Sequence, residues 1–474
     1  MQEKAYDLVV IGGGPAGIVG AATASRLGKS VALVDGHHEL GGAGINTGTV
    51  PSKTLRETAL ALSGLRSRDL YGVDLSLRRE ATVEDFLHHA REVKVSANAM
   101  LSGLLEASGS EVYAGSAAFV DEHTVSVKSA TPRENTALAA PPELLLRGAR
   151  VLIATGSAPI RPPIYPFGPG VYDSDTILEL TRLPRSIAIV GAGVIGSEYA
   201  CTFSTLGTQV HVVDGREALL PFLDGEISTA LEAAMERGGV TFHWHERTES
   251  CTKDSAGEVT LVLSSGKQLV VEAVLAAAGR SGNVDTLCLS AAGISAGAHG
   301  TIEVDEHFQT SVPHIFAAGD VVGPPALAST SMRQARVAVA RAFDEADKAT
   351  APPPLPYGVY TIPEIGTIGE TESALTKRGA TYLVGRARYE SNFRGRIVGD
   401  AGGFLKLLFD RADRKLLGVH VIGEQATELV HLGMLAMLAG LTADIIAEAC
   451  FNTPTLGELY ASAAFDAIRN ARAS

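Results

Sequence analysis

The chain has 474 residues, of which 46% are hydrophobic and 20% are charged, an ordinary composition for a folded protein. Its formal net charge of −13, with no basic run, argues against nucleic acid or an anionic membrane surface as a partner. The length predicts about three domains. The 51 glycines favour several loops in which the backbone approaches a ligand closely.

The N-terminal segment carries a complete dinucleotide-binding pattern. The apolar run Asp7 to Ile11 predicts a buried parallel strand, and Ile18 to Leu27 predicts a helix. The turn between them contains Gly12, Gly14 and Gly17. The next predicted strand ends at Asp35, 18 residues after the last of these glycines. Such glycines let backbone N–H groups meet a pyrophosphate at the helix N-terminus, and the acid accepts hydrogen bonds from a ribose.

A second complete pattern follows in the middle of the chain. Ser186 to Val190 predicts its strand and Ser197 to Leu206 its helix, and the following strand ends at Asp214, again 18 residues past the last glycine. Its turn contains Gly191, Gly193 and Gly196. Two complete patterns predict that two dinucleotides bind together. A flavin with a nicotinamide nucleotide is the expected combination, because a flavin needs a reductant.

Other segments predict the elements around these two units. Thr82 is expected to cap a helix over Val83 to Glu106. The prolines between Ala351 and Pro356 predict a stiff linker. Beyond it, strands are predicted over Val359 to Ile368, Tyr382 to Arg388, Phe404 to Asp410 and Leu416 to Ile422, and helices over Glu424 to Leu438 and Leu456 to Arg472.

The cysteines and the apolar segments bear on the compartment. The four cysteines, Cys201, Cys251, Cys288 and Cys450, form no Cys-x-x-Cys pair and are expected to be buried small hydrophobic residues. Their pattern favours a reducing compartment. The N-terminus has no signal-peptide pattern, and the longest apolar run is too short to cross a membrane. We therefore expect a cytoplasmic protein.

The segment from Gly41 to Lys53 resembles the active-site segment of the two-dinucleotide-binding-domain flavoprotein reductases, the family of lipoamide dehydrogenase and glutathione reductase. Those enzymes have Gly-Gly-x-Cys-x4-Cys-x-Pro-x-Lys at this place. This chain keeps the glycines, Pro51 and Lys53, but has Gly44 and Thr49 at the two cysteine positions. Without the dithiol, electrons cannot leave the flavin by thiol–disulfide exchange.

The resemblance implies an α/β fold with two Rossmann-like nucleotide-binding domains, for FAD and for NAD(P), and a C-terminal α+β dimerisation domain. The implied FAD-binding domain is discontinuous, with residues 1–157 and 281–347. The implied NAD(P)-binding domain spans residues 158–280, and the dimerisation domain spans residues 348–474. The implied partners are nicotinamide dinucleotides and a second copy of the chain, in a homodimer or a higher homo-oligomer.

The resemblance also assigns residues to each cofactor. The expected FAD residues are Gly12, Gly14, Gly17, Asp35, Gly42, Thr155, Gly156, Gly319 and Asp320. The expected NAD(P) residues are Gly191, Gly193, Gly196, Asp214, Arg216 and Gly279. In the family, the aspartate matching Asp320 holds the ribityl hydroxyls of the flavin. No metal is expected.

The implied catalytic residues are Lys53, Glu198, Thr49 and Glu458. In the family, a lysine and a glutamate at the first two positions pair beside the flavin, where the ammonium stabilises developing negative charge and the carboxylate keeps it protonated. The family's C-terminal His-Pro-Thr-x-x-Glu segment serves the partner's thiols, but here Thr453 replaces the histidine. A hydroxyl of high pKa cannot shuttle protons at neutral pH, so two parts of the thiol half-reaction are missing.

Within the family, the chain resembles the soluble pyridine nucleotide transhydrogenases over nearly its whole length. The resemblance rests on the segments Gly48 to Lys53, Phe222 to Asp224, Glu226 to Ser228, Gly279 to Asn283, and Phe451 to Thr455 with Glu458 and Tyr460. It implies ping-pong hydride transfer from NADPH to FAD and then to NAD+. That subfamily commonly keeps the first cysteine, and this chain does not.

Three hypotheses about the function remain open at this point. Asp214 should repel a 2′-phosphate, while Arg216 either offsets this by pairing with the phosphate or is a solvated loop residue. If the acid dominates, the protein is an NADH-specific flavin reductase, or diaphorase, acting on quinones, dyes or oxygen. A flavin-binding redox sensor without catalysis is the third reading. Disulfide reductase activity is not expected.

Overall fold

The computed structural model of the chain describes residues 2–37, 39–63, 82–128, 144–345 and 354–473. The helices are α1 (Pro15–Arg26), α2 (Gly42–Asn46), α3 (Thr49–Leu62), α4 (Val83–Ser108), α5 (Val194–Thr205), α6 (Gly225–Arg237), α7 (Ala328–Ala342), α8 (Glu372–Lys377), α9 (Phe393–Ile397), α10 (Ala426–Leu438), α11 (Ala443–Glu448) and α12 (Glu458–Ala473). The strands are β1 (Gln2–Ile11), β2 (Val31–Asp35), β3 (Glu111–Ala114), β4 (Ser116–Phe119), β5 (Thr124–Lys128), β6 (Leu144–Ile153), β7 (Ser157–Pro159), β8 (Val171–Tyr172), β9 (Ser186–Val190), β10 (Gln209–Asp214), β11 (Val240–Trp244), β12 (Thr248–Lys253), β13 (Val259–Leu263), β14 (Gln268–Val271), β15 (Ala273–Ala276), β16 (Arg280–Gly282), β17 (Ile315–Ala317), β18 (Tyr357–Val359), β19 (Ile365–Gly369), β20 (Tyr382–Arg388), β21 (Phe404–Asp410) and β22 (Leu416–Ile422).

The first unit is built on a sheet in the order β3-β2-β1-β6-β5-β4. Strands β1, β2, β3 and β6 run parallel. The first half of β6 pairs with β5 and its second half with β17, so a strand from far along the chain joins this sheet. All five residues of β2 are buried, as expected for a parallel strand covered on both faces.

The second unit has a parallel sheet in the order β11-β10-β9-β15-β8, with an antiparallel sheet of β12, β13 and β14 beside it. The chain enters this unit through β7 and leaves it through β16. These two strands pair antiparallel, with Ser157 opposite Gly282 and Pro159 opposite Arg280. Both crossings between the two units therefore lie side by side.

The C-terminal unit is an antiparallel sheet in the order β18-β19-β22-β21-β20, packed against α10 and α12. The strands predicted over β20, β21 and β22 are confirmed to the residue. The single strand predicted over Val359 to Ile368 is wrong, because β18 and β19 form an antiparallel pair around a turn. Pro363 lies in that turn and follows a cis peptide bond. An apolar run on both sides of the turn concealed it from sequence reasoning.

Four smaller predictions concern a helix cap, the cysteines, the proline linker and membrane spans. Thr82 caps α4 through a hydrogen bond from the Asp85 N–H, as predicted. The expectation of four buried cysteines is wrong for Cys288 and Cys450, which are exposed thiols. The predicted proline linker starts at residue 351, and its residues 351–353 lie outside the described residues. No helix among the described residues has the length and apolarity needed to span a bilayer.

A buried lysine joins the second unit to the C-terminal unit. Lys406 on β21 is 1% exposed and donates to Asp224 at 2.7 Å, to Glu226 at 2.9 Å and to Glu372. Burial lowers the pKa of Lys406, but the three carboxylates outweigh it and raise that pKa overall. Glu226 also pairs with Arg386. The segments Phe222 to Asp224 and Glu226 to Ser228, quoted above for the resemblance, thus supply a contact between units.

We predict that Lys406→Met lowers the free energy of unfolding by about 3–5 kcal/mol, because three carboxylates lose their buried counter-charge. Urea unfolding followed by circular dichroism measures the change. Lys415→Met is the matched control, since the exposed Lys415–Asp413 pair, at 3.0 Å, should contribute about 0–1 kcal/mol. Equal effects of the two substitutions would contradict a special role of Lys406.

Candidate active site

The two glycine turns have nearly the same backbone geometry. Gly12 has a φ of +108° and Gly191 a φ of +106°, a region that only glycine adopts readily. A Cβ built on Gly17 would lie 1.8 Å from the Gly12 carbonyl oxygen, and one built on Gly196 would lie 1.9 Å from that of Gly191. The helix in each unit therefore packs so tightly on its turn that no side chain fits between them.

The N-termini of α1 and α5 are open to an anion. Gly14 and Gly193 occupy the N-cap positions, and neither helix has a side-chain cap or an acid in its first turn. The first backbone N–H groups of each helix consequently lack a partner within the helix, and the helix dipole adds partial positive charge. A helix N-terminus of this kind suits a pyrophosphate, and pyrophosphate binding at both turns stays a prediction.

The acids after the second strands are held differently in the two units. Asp35 accepts hydrogen bonds from the Gly13 N–H and from the His37 N–H at 2.7 Å. Asp214 accepts the corresponding bonds from Ala192 at 2.6 Å and from Arg216 at 2.8 Å. Each carboxylate is thus held by one N–H of the glycine turn and one N–H of its own loop.

Asp214 differs from Asp35 by having a guanidinium bound to it. Arg216 donates from Nε at 2.9 Å and from Nη2 at 2.6 Å, a two-point pair. Burial alone would raise the pKa of Asp214, but the bonds from Arg216 and from the Ala192 N–H lower it to about 2. Arg216 lies in a loop with its side chain 47% exposed, and its guanidinium is paired with Asp214 in this structure. The two alternatives for Arg216, pairing with a 2′-phosphate or remaining a solvated loop residue, therefore both stay predictions.

Both turns open into one cleft of about 2100 Å³. This volume exceeds the roughly 300–1,000 Å³ of a typical small-ligand pocket and suits two dinucleotides. The predicted residues on its wall include Gly42, Thr155, Gly156, Gly279, Gly319 and Asp320. The hydroxyls of Thr155 and Tyr199 are buried on this wall without a partner among the described residues. Such orphaned polar atoms fit polar groups of a bound cofactor, because leaving them unsatisfied is costly.

One ion pair lies where the three units meet. The Lys53 ammonium on α3 donates to Glu198 on α5 at 2.6 Å, and the other carboxylate oxygen of Glu198 accepts from the Tyr360 N–H at 2.9 Å. The Lys53 Nζ also lies 4.9 Å from the centre of the Tyr360 ring. The Glu198 side chain is 8% exposed and that of Lys53 is 26% exposed. The charge of Lys53 is therefore held at the cleft wall. Sequence reasoning missed Tyr360, because it placed this residue inside a strand.

A chain of hydrogen bonds connects the predicted flavin aspartate to the second unit. The Ser157 hydroxyl donates to Asp320 at 2.7 Å and accepts from the Arg280 Nε at 2.8 Å. Arg280 also donates to the Ser157 carbonyl at 2.7 Å and to Asp175 at 3.0 Å. Arg280 thereby fastens both crossing strands, β7 and β16. The sequence marked the Gly279–Arg280 turn but gave no signal for these partners.

The positions of the missing thiols lie on the cleft wall. Thr49 begins α3, and a Cβ built on Gly44 would lie 2.8 Å from the Cγ of Pro15. No cysteine is among the described residues that line the cleft. The described residues of the cleft therefore offer no thiol to accept electrons.

The C-terminal catalytic candidate lies elsewhere in the single chain. Glu458 lines a separate cavity of about 700 Å³ and accepts a hydrogen bond from the Thr453 hydroxyl. Neither residue lines the cleft that contains Lys53 and Glu198. Within one chain, the structure brings together Lys53, Glu198 and Thr49, but not Glu458.

Two dinucleotide units that share one cleft, with an ammonium–carboxylate pair at their junction, define a flavin-dependent pyridine nucleotide oxidoreductase. Comparison with known proteins agrees. The family model described as pyridine nucleotide-disulphide oxidoreductase matches residues 6–342, and that of the family's dimerisation domain matches residues 355–464. The chain belongs to this family, whose enzymes use FAD and NAD(P)H.

Curated relatives and solved structures match over nearly the full length. The chain is 44% identical over 472 residues to a protein of Mycobacterium bovis named soluble pyridine nucleotide transhydrogenase, covering 99% of this chain and 98% of the relative. A protein of Colwellia psychrerythraea with the same name is 38% identical and covers 98% of both chains. The structure of LpdA from Mycobacterium tuberculosis matches with a TM-score of 0.88 at 25% identity, over 98% of this chain and 99% of that one. The HOCl-induced flavoprotein disulfide reductase RclA of Escherichia coli matches with a TM-score of 0.85 at 27% identity, over 97% of this chain and 99% of that one.

We predict that Gly17→Ala and Gly196→Ala separate the two cofactors. Each added methyl group strains its own turn by about 1–3 kcal/mol, which corresponds to roughly 5–150-fold weaker binding. Gly17→Ala should lose FAD, whereas Gly196→Ala should keep FAD but lose affinity for nicotinamide nucleotides. Flavin absorbance after gel filtration and titration with reduced nucleotide measure the two effects. Gly103→Ala, in open space on α4, is the control. Loss of FAD in Gly196→Ala would contradict the assignment.

Proposed function

We propose that the protein transfers hydride between NADPH and NAD+ through bound FAD, in a ping-pong reaction without a redox-active disulfide. The observation that carries this proposal is the Lys53–Glu198 pair, which is held at 2.6 Å in a cleft that has Gly44 and Thr49 where thiols would stand. The curated relatives named soluble pyridine nucleotide transhydrogenase support it.

In this proposal the chain supplies charge and orientation. When bound, FAD would supply the redox chemistry, which is acceptance of a hydride from one nicotinamide and its return to another. Lys53 would place its positive charge at the cleft wall, where negative charge develops on reduced flavin. Glu198 orients that ammonium through its 2.6 Å hydrogen bond, and the Tyr360 N–H fixes the rotamer of the carboxylate. Thr49 on the cleft wall would present a neutral hydroxyl in place of a thiol to bound FAD, so no electron pair would be diverted to sulfur.

We propose that residues 158–280 bind both coenzymes and that the Asp214–Arg216 pair permits this. With NAD(H), the carboxylate of Asp214 accepts hydrogen bonds from the ribose hydroxyls. With NADP(H), the charge of Arg216 offsets the repulsion between Asp214 and the 2′-phosphate. A bare aspartate at this position would favour NAD(H) alone. The neutralised pair therefore supports transfer between the two coenzymes over the NADH-specific reductase.

We further propose a cytoplasmic homodimer in which the segment with Thr453 and Glu458 meets the partner's cleft. The matched dimerisation domain supports the dimer. So does α10, on which Leu432, Leu435 and Leu438 are 42%, 59% and 53% exposed on one face. Large apolar side chains clustered in this way are typical of an interface. The four free thiols among the described residues agree with a reducing compartment.

We predict that the holoprotein catalyses reduction of a thionicotinamide analogue of NAD+ by NADPH. Double-reciprocal plots should be parallel, because the first nucleotide leaves before the second binds. The absorbance of the reduced analogue measures the rate, and lipoamide or glutathione disulfide should give no turnover. If only quinones or dyes accept electrons, the protein is instead a flavin reductase, or diaphorase. If neither reduced nucleotide bleaches the flavin, the protein is not a catalyst of either kind.

We predict that Lys53→Met keeps FAD but slows flavin reduction by about 10²–10³-fold, the usual effect of removing a group that stabilises developing charge. Anaerobic stopped-flow absorbance measures this rate. Lys4→Met is the matched control, because Lys4 pairs with Glu111 at 3.0 Å, has an exposure of 38% and does not line the cleft. A comparable slowing in both variants would show that any lost ion pair has this effect.

A further inference from the structure

A loop of the second unit lies directly against the loop that carries Asp214 and Arg216. The chain leaves β11 at Trp244 and turns at His245, which has a left-handed φ of +58°. The His245 N–H donates to the Arg216 carbonyl at 3.2 Å, and the Glu246 N–H donates to the Asp214 carbonyl at 3.1 Å. Two backbone hydrogen bonds therefore fix this second loop beside the ribose-recognition loop.

Arg247, the next residue, is anchored by its backbone alone. Its N–H donates to the Ser264 hydroxyl at 3.1 Å, and its carbonyl accepts from the Ser264 N–H at 2.8 Å. Its side chain reaches back over Gly215, since a Cβ built on Gly215 would lie 3.3 Å from the Arg247 Nε and 3.6 Å from its Cγ. The guanidinium of Arg247 thus lies against the residue between Asp214 and Arg216.

The guanidinium of Arg247 is free, whereas that of Arg216 is not. Within the described part of the chain, the Arg247 side chain makes no hydrogen bond or ion pair, and it is exposed. The neighbouring acid Glu246 is directed elsewhere, because its carboxylate accepts from the Ser264 hydroxyl at 2.8 Å and from the Ser265 N–H at 3.1 Å. Asp214 is already neutralised by Arg216. The available charge beside this ribose position is therefore positive.

From this arrangement we propose that Arg247 determines recognition of the 2′-phosphate of NADP(H). Its free guanidinium binds the phosphate monoester, while Arg216 cancels the repulsion from Asp214. NAD(H), which lacks the phosphate, binds beside the same loop through Asp214 without using Arg247. Arginine suits this role because its fork of N–H groups matches two phosphate oxygens. This inference rests on the proposed use of both coenzymes and assigns its specificity to a residue outside the fingerprint.

The test compares Arg247→Gln with wild-type holoprotein in equilibrium binding of two fragments without nicotinamide. The fragments are 2′-phospho-ADP-ribose and ADP-ribose, and calorimetry measures both. Arg247→Gln should weaken binding of the phosphorylated fragment about 10- to 100-fold, the usual effect of losing a hydrogen bond to a charged group. Binding of ADP-ribose should change less than about twofold. Arg247→Lys should fall between wild type and Arg247→Gln, because it keeps the charge and loses the fork.

Arg237→Gln, an exposed arginine at the end of α6, is the control and should leave both affinities unchanged. Flavin absorbance confirms that each variant is folded. Equal weakening of both fragments, or no weakening of either, overturns the assignment of Arg247. So does a wild-type protein that binds only the unphosphorylated fragment. Failure of hydride transfer with intact, Arg247-dependent binding would overturn the proposed function and leave this inference standing.

Discussion

The carboxylate of Glu198 is the contact on which the arrangement of the molecule depends. One of its oxygens binds the ammonium of Lys53 from the first unit, and the other accepts the N–H of Tyr360 from the C-terminal unit. Glu198 itself belongs to the helix that starts at the second glycine turn. A buried carboxylate cannot lose either partner cheaply, because desolvation leaves an uncompensated charge. All three units therefore meet at one point, and the Lys406 cluster joins the second unit to the C-terminal unit at another point.

The two glycine turns show how one steric rule produces two sites with different chemistry. The contacts of Gly17 and Gly196 with the carbonyls behind them are almost identical, so the backbone scaffold for a pyrophosphate is repeated. The difference comes from a single side chain. Arg216 binds Asp214 in the second unit, whereas Asp35 in the first unit is held by the N–H groups of Gly13 and His37. Charge, and not backbone shape, therefore separates a site for one dinucleotide from a site proposed to accept two.

The sequence was informative wherever the constraint is local. A strand, three glycines, a helix and an acid at fixed spacing predict the nucleotide turns, because the sterics of those glycines involve only neighbouring residues. Strands β20 to β22 were also predicted to the residue, and each is a single segment of seven residues. Arg247 gave no signal, because its position beside Gly215 depends on two loops that meet only in the fold. The turn at Pro363 and the exposure of Cys288 and Cys450 were missed because they depend on packing beyond the local pattern.

The thiol pathway is excluded by the contacts around the substituted positions as well as by the substitutions themselves. At position 44, a side chain of any kind would approach the ring of Pro15 within 2.8 Å, and that proline occupies the first turn of α1. A cysteine there would have to displace a residue of the nucleotide turn itself.

At the other end of the chain, Thr453 directs its hydroxyl to Glu458, so the carboxylate that orients a histidine in the resembled reductases here holds a group without a useful pKa. The two segments are far apart in the sequence, yet each makes a contact that excludes thiol chemistry. Selection on hydride transfer alone would leave both positions free to change in this way, whereas a working disulfide reductase would tolerate neither.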